Sequence, residues 1–118
     1  MPINHFTQIE CWKLGRLLSY NVYKLTEVYP KTEIFGLTSQ MRRSAISVPA
    51  NIAEGFKRKG VRDKLRFYNI ADASLAELQT YFYLSSDLGY ISIKDRDELM
   101  SKSEKVGRVL GGWILSQK

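Results

Sequence analysis

Apolar residues recur at three- and four-residue steps along most of the chain, and no stretch alternates apolar and polar positions for long enough to read as a strand. That period predicts four helices. The first runs from about Phe6 to Tyr29, with Ile9, Trp12, Leu14, Leu17, Leu18, Val22, Leu25 and Val28 on one stripe. Pro30 ends it, because the residue before a proline is pushed out of helical backbone. "PKTEIFGL" follows as a connection whose Ile34, Phe35 and Leu37 are expected to plug the end of the core. Thr38 is the expected N-cap of the second helix, which turns Met41, Ala45, Ile46, Ile52, Ala53 and Phe56 inward. The third helix begins after Gly60 and reaches about Leu88, with an inner stripe of Leu65, Tyr68, Ala71, Leu75, Leu78, Phe82 and Ser85. Gly89 supplies a left-handed stop and Ser92 caps the fourth helix, which carries Leu99, Val106, Val109, Leu110, Trp113 and Ile114. The expected fold class is all-α: one domain over residues 1–118, an antiparallel up-down-up-down four-helix bundle with a proline-kinked second helix.

The stretch "RRSAISVPANIAEGFKRKG" disturbs this regular pattern. Pro49 removes one hydrogen bond and crowds the carbonyl of Ala45, which predicts a kink. Ala45, Ser47, Ala50 and Ala53 are small enough to let a neighbouring helix approach closely. A tight turn near Gly60 lays the second and third helices antiparallel, so residues equidistant from it face each other. That places Arg43 opposite Glu77, Asn51 opposite Asn69 and Glu54 opposite Arg66. Buried polar groups are normally paired, so Arg43, Asn51, Glu54, Asn69 and Glu77 are expected to form a structural polar network.

Charge sharpens the picture by position. Residues 42–66 hold eight basic and two acidic side chains and so account for the whole net charge of +6. Such a patch is a footprint for polyanions through counterion release, or else a solvated helix end that happens to be basic. Chemistry is sparse elsewhere. Cys11 is the only cysteine, which excludes an intrachain disulfide and suggests a reducing, cytoplasmic setting. The N-terminus lacks the order of a signal peptide, and no apolar run nears the roughly 18 residues of a membrane span, so no membrane partner is expected. His5 is the only histidine, and neither a phosphate loop nor a dinucleotide fingerprint is present, so no enzymatic activity, metal or cofactor is expected. Tyr68, Tyr81, Phe82 and Tyr83 could stack on bases, but at helical spacing they read as core or subunit interface.

"LTSQMRRSAISVPANIAEGFKRKG", then "RFYNIADASLAELQTYFYLSSDLGYI", resembles the four-helix bundle family of 23S ribosomal RNA intervening-sequence proteins, and "CWKLGRLLSYNVYKLTEVYP" is similar to that family's first helix. The resemblance implies a homopentamer with an RNA-binding role, and it covers Arg42, Arg43, Asn51, Glu54, Gly55, Arg58 and Glu77. "KVGRVLGGWI" is similar to the tail of the accessory variability proteins of diversity-generating retroelements, which implies a nucleic acid and a reverse transcriptase as alternative partners. The resulting expectation is a non-enzymatic, oligomeric bundle that binds structured RNA, or DNA, through phosphate contacts. Arg42, Lys57, Arg58, Lys59, Arg62, Lys64 and Arg66 are the candidate contact residues.

Overall fold

Four α-helices carry the chain in the structure, a computed structural model that describes residues 2–118: α1 Glu10–Thr26, α2 Leu37–Lys57, α3 Val61–Asp87 and α4 Ile93–Ser116. Each helix packs on its neighbours in sequence, and α1 meets α4 to close the ring. The 27 residues of α3 rise about 40 Å at 1.5 Å per residue and set the 44 Å length of the molecule. Alternation of direction puts the α2–α3 turn at one end with both termini. The α1–α2 and α3–α4 connections share the other end. Met41, Val48, Ile52, Tyr68, Leu78, Phe82 and Leu110 fill the core between them.

The third and fourth helices follow their sequence pattern. Tyr68, Ala71, Leu75, Leu78, Phe82 and Ser85 are buried and Leu65 is half-buried. Gly89 takes φ +77°, and the Tyr90 N–H closes back on the Ser85 carbonyl at 2.9 Å. The Ser92 hydroxyl accepts from the Asp95 N–H at 3.0 Å.

The first connection differs from the expectation. Phe6–Gln8 form a separate 3-10 turn, because the His5 and Gln8 side chains close a capping box there and Ile9 is extended, sending its side chain into the core. α1 stops at Thr26, four residues ahead of Pro30, where the Thr26 hydroxyl donates to the Val22 carbonyl at 2.8 Å. Its buried face is Cys11, Gly15, Leu18, Ser19, Val22 and Thr26, which leaves Leu17 and Val28 in solvent. Ile34 and Phe35 do not plug the core; Phe35 is 94% exposed. Tyr29 and Ile91 close that end, with the Tyr29 and Tyr90 rings 5.2 Å apart. Glu33 organises the turn: one carboxylate oxygen accepts from the Leu37 N–H at 3.2 Å, the other from the Tyr90 hydroxyl at 2.8 Å. With Gly36 as N-cap and Glu33 supplying the acceptor, Thr38 is a buried residue inside α2 and not its cap. On α2, Met41, Ala45 and Ile52 face inward, whereas Ile46 is exposed and Ala53 and Phe56 are half-buried.

Pro49 lies inside α2, buried, with no N–H to give the Ala45 carbonyl. The missing donor comes from another helix. The Ser19 hydroxyl of α1 lies 2.9 Å from the Ala45 oxygen, and the same distance from the Gly15 oxygen on its own helix. Gly15 lets α1 come this close: a Cβ there would stand 3.3 Å from Val48 Cγ1 and 3.4 Å from Pro49 Cδ. At the other end of α2, a Cβ on Gly55 would stand 2.5 Å from a ring carbon of the fully buried Tyr68. A glycine in "NIAEG" is thus a requirement of helix contact, since the ring has no free volume to yield.

Three outcomes follow for stability. Ser19→Ala costs about 1–2 kcal/mol in urea unfolding by orphaning a buried carbonyl. In a Pro49→Ala background, whose restored N–H serves that carbonyl, the same change costs much less, so a double-mutant cycle shows clear coupling. Gly55→Ala overpacks Tyr68 by about 3 kcal/mol, the upper end for such clashes, outweighing the roughly 1 kcal/mol gained in helix propensity, and lowers Tm by several degrees in calorimetry. Burial pushes the Cys11 thiol from 9.0 up to about 12. Its contribution to stability is therefore complete below pH 9 and is lost as pH rises from 9 towards 12. Cys11→Ala makes that alkaline loss shallower.

Candidate nucleic-acid interface

The last turn of α2 and the first of α3 bring six of the eight basic residues of segment 42–66 to one end of the bundle. Gly60 is the N-cap of α3 and offers no side chain to its first N–H groups; Asp63 lies in that first turn. Lys64 reaches back across the turn, and its ammonium donates to the Phe56 carbonyl at 2.8 Å and the Gly55 carbonyl at 3.3 Å. It thereby serves the Phe56 carbonyl at the negative end of α2 and adds a second donor to the Gly55 carbonyl, which also accepts from the Arg58 N–H at 3.1 Å.

The arginines form a second layer. Arg58 donates to Glu54 at 2.9 Å and lies 3.8 Å from Asp63, with its guanidinium 4.4 Å from the centre of the Phe67 ring. Arg66 donates to Asp63 at 3.1 Å and lies 4.5 Å from the same ring centre. These pairs are exposed, so each contributes about 0–1 kcal/mol and yields readily to a stronger anion. Lys57, Lys59 and Arg62 are exposed, and their side chains make no hydrogen bond or ion pair among the described residues.

Arg42 lies elsewhere. Sixteen residues up α2 from Arg58, it is about 24 Å away along the axis. Its Nε donates to the Thr26 hydroxyl at 2.8 Å, and its guanidinium stacks 4.7 Å from the Tyr23 ring centre. Arg42 therefore fastens α2 to the end of α1. The basic segment is contiguous in sequence but divided in space: Lys57, Arg58, Lys59, Arg62, Lys64 and Arg66 share one end, without Arg42 and Arg43.

The antiparallel register of α2 and α3 is the expected one, but its polar partners are different. Ser47 and Ser74 bridge the two helices at 2.8 Å between hydroxyls, and Asn51 donates to the Ser47 carbonyl at 2.7 Å and hydroxyl at 2.9 Å. Glu54 pairs with Arg58 and not Arg66, and Glu77 accepts from the Tyr81 hydroxyl at 2.8 Å and not from Arg43. Arg43 and Asn69 are exposed and make no side-chain hydrogen bond among the described residues. Small serines at the seam bring the helices together, while longer polar side chains flank it and take partners four residues away on their own helix. Ser47 was expected from sequence as a small residue permitting close approach, but its polar contact with Ser74, and the role of Phe67, were not. The serine contact could have been, since the two serines too are nearly equidistant from Gly60.

Of the four candidate stacking aromatics, Tyr68 and Phe82 are buried. Burial pushes the Tyr68 phenol up, with the Trp113 indole acting in the opposite sense. Tyr81 is half-buried and raised by its bond to Glu77. Tyr83 is exposed, with the Arg96 guanidinium 4.7 Å from its ring centre. Among the described residues there is no group of three or more His, Cys, Asp and Glu placed to hold a metal, and no helix long and apolar enough to cross a membrane.

Residues 7–112 match the family model described as 23S rRNA-intervening sequence protein. The fold is similar to the crystal structure of a protein of unknown function from the S23 ribosomal protein family of Bacteroides thetaiotaomicron. The TM-score is 0.78, covering 88% of this chain and 97% of that one at 20% identity. At that identity the likeness is one of fold. No curated protein matches the sequence. The family match runs from the first 3-10 turn well into α4, and the chain belongs to the 23S rRNA-intervening sequence protein family.

Proposed function

We propose that this chain is a cytoplasmic, non-enzymatic RNA-binding bundle that grips structured RNA by its phosphates at the α2–α3 end. The observation that carries the reading is the set of unpaired cations Lys57, Lys59 and Arg62, grouped where α3 begins with no side-chain cap. The first N–H groups of α3 add partial positive charge in the same direction. Arg58 and Arg66, held by exposed carboxylates and the Phe67 ring, exchange Glu54 and Asp63 for phosphate at little cost. Lys64 takes no part, because its ammonium already closes α2, and Arg42 takes none because it holds α1. DNA would be bound by the same contacts.

Nothing in this group is shaped to read base edges, so recognition is by backbone and shape. Assembly as a homopentamer would repeat the cations around one axis and convert weak contacts into firm binding by avidity. The family name, which refers to ribosomal RNA, supports the choice of polyanion.

Titration of structured ribosomal RNA fragments across a salt series tests this. Wild type binds with a steep salt dependence. The Lys57→Ala/Lys59→Ala/Arg62→Ala variant keeps its Tm, and its log–log slope falls by about two to three for each protomer engaged. Lys64→Ala lowers Tm and leaves the slope nearly unchanged. Absence of wild-type binding at low salt overturns the reading. It would transfer the basic end to a protein partner with an acidic face, such as a reverse transcriptase.

A further inference from the structure

The seam between α1 and α4 holds a half-open cavity of about 300 Å³. Leu14, Leu17, Leu18 and Val106 form its apolar walls. Asn21, Lys102 and Lys105 stand at its polar side. The two lysines are three residues apart on α4 and so project from one face of it. Both are exposed, and neither makes an ion pair among the described residues. The half-buried Asn21 makes no side-chain hydrogen bond among the described residues either.

We propose that this groove binds a small amphiphile with an anionic head, of the class of a medium-chain carboxylate. The chain lies against Leu14, Leu17, Leu18 and Val106, and the head group accepts from Lys102, Lys105 and Asn21. Size and charge both argue for that occupant. The volume is at the small end of ligand pockets and suits a molecule of about a dozen heavy atoms. An anion in front of two ammonium groups gains charge-assisted hydrogen bonds that a neutral amphiphile lacks. Beyond Lys102 the seam continues into a hollow of mixed charge, lined by Lys24, Asp95 and Glu98. On the outer side of Leu17, Lys13 and Arg16 line a further hollow and add positive potential. This site is remote in sequence from the basic α2–α3 turn and does not depend on RNA binding.

The test uses sodium decanoate as probe, followed through the methyl resonances of the full chain, with decan-1-ol and decyltrimethylammonium as matched neutral and cationic chains. Decanoate is expected to shift the methyls of Leu14, Leu17, Leu18 and Val106 saturably below its micelle range. Affinity should fall roughly tenfold or more for decan-1-ol and for the Lys102→Ala/Lys105→Ala variant, whose exposed positions leave the fold intact by circular dichroism. Leu17→Asp, exposed on the wall, abolishes the shifts without unfolding the chain. Equal binding of all three chains, shifts outside the groove, or no saturation overturns the proposal. So does a free protein in which another copy already covers these methyls, seen as intermolecular contacts between them.

Discussion

The carbonyl of Ala45 is the point on which the arrangement of the first two helices turns. A proline one turn later cannot serve it, and water does not reach it in the core. Only a donor from another helix can, and the Ser19 hydroxyl requires α1 to lie in van der Waals contact with Pro49. Gly15 eases that approach, since a Cβ there would press on Val48 Cγ1 at 3.3 Å. Proline, serine and glycine, three residues that ordinarily weaken a helix, thus specify a helix pair. The register of α1 on α2 depends on this contact, and so does the reach of Arg42 to Thr26 at the same seam.

The α2–α3 pair is held by a different device with the same logic. Ser47 meets Ser74 in the middle of the seam, and Gly55 meets the Tyr68 ring at its end. Lys64 spans the turn and ties the two backbones together. Each contact replaces bulk with proximity. Close approach is what brings the end of α2 and the start of α3 into one surface and concentrates the charges there.

Within that surface the cations are not equivalent. Lys64 has a structural occupation, Arg58 and Arg66 have weak ones, and Lys57, Lys59 and Arg62 have none. A charge count cannot make this distinction. A lysine whose ammonium already satisfies two carbonyls would lose those bonds on moving to phosphate, whereas a pendant lysine loses only water and counterions. The same sorting separates Arg42, which is adjacent in sequence to Arg43 yet belongs to a different task.

Much of the architecture was legible in the sequence because helix period is a local property. The stripe of α3, the left-handed Gly89 and the Ser92 cap each depend on residues within one or two turns. The antiparallel register of α2 and α3 followed from one short turn. Legibility failed where an outcome depended on residues far apart. Glu33 displaced Thr38 as the organiser of the start of α2 because Tyr90, distant in sequence, also holds its carboxylate. Phe35 was left in solvent because Tyr29 and Ile91 already filled the end of the core. The polar partners of Asn51, Glu54 and Glu77 changed because a side chain four residues away on the same helix is nearer than one across a seam. By itself, then, the sequence determined the four helices, their order and where the positive charge would lie along the chain. Tertiary structure alone decided which carbonyl needed a foreign donor and which cations were left free, because both depend on distances that only packing creates.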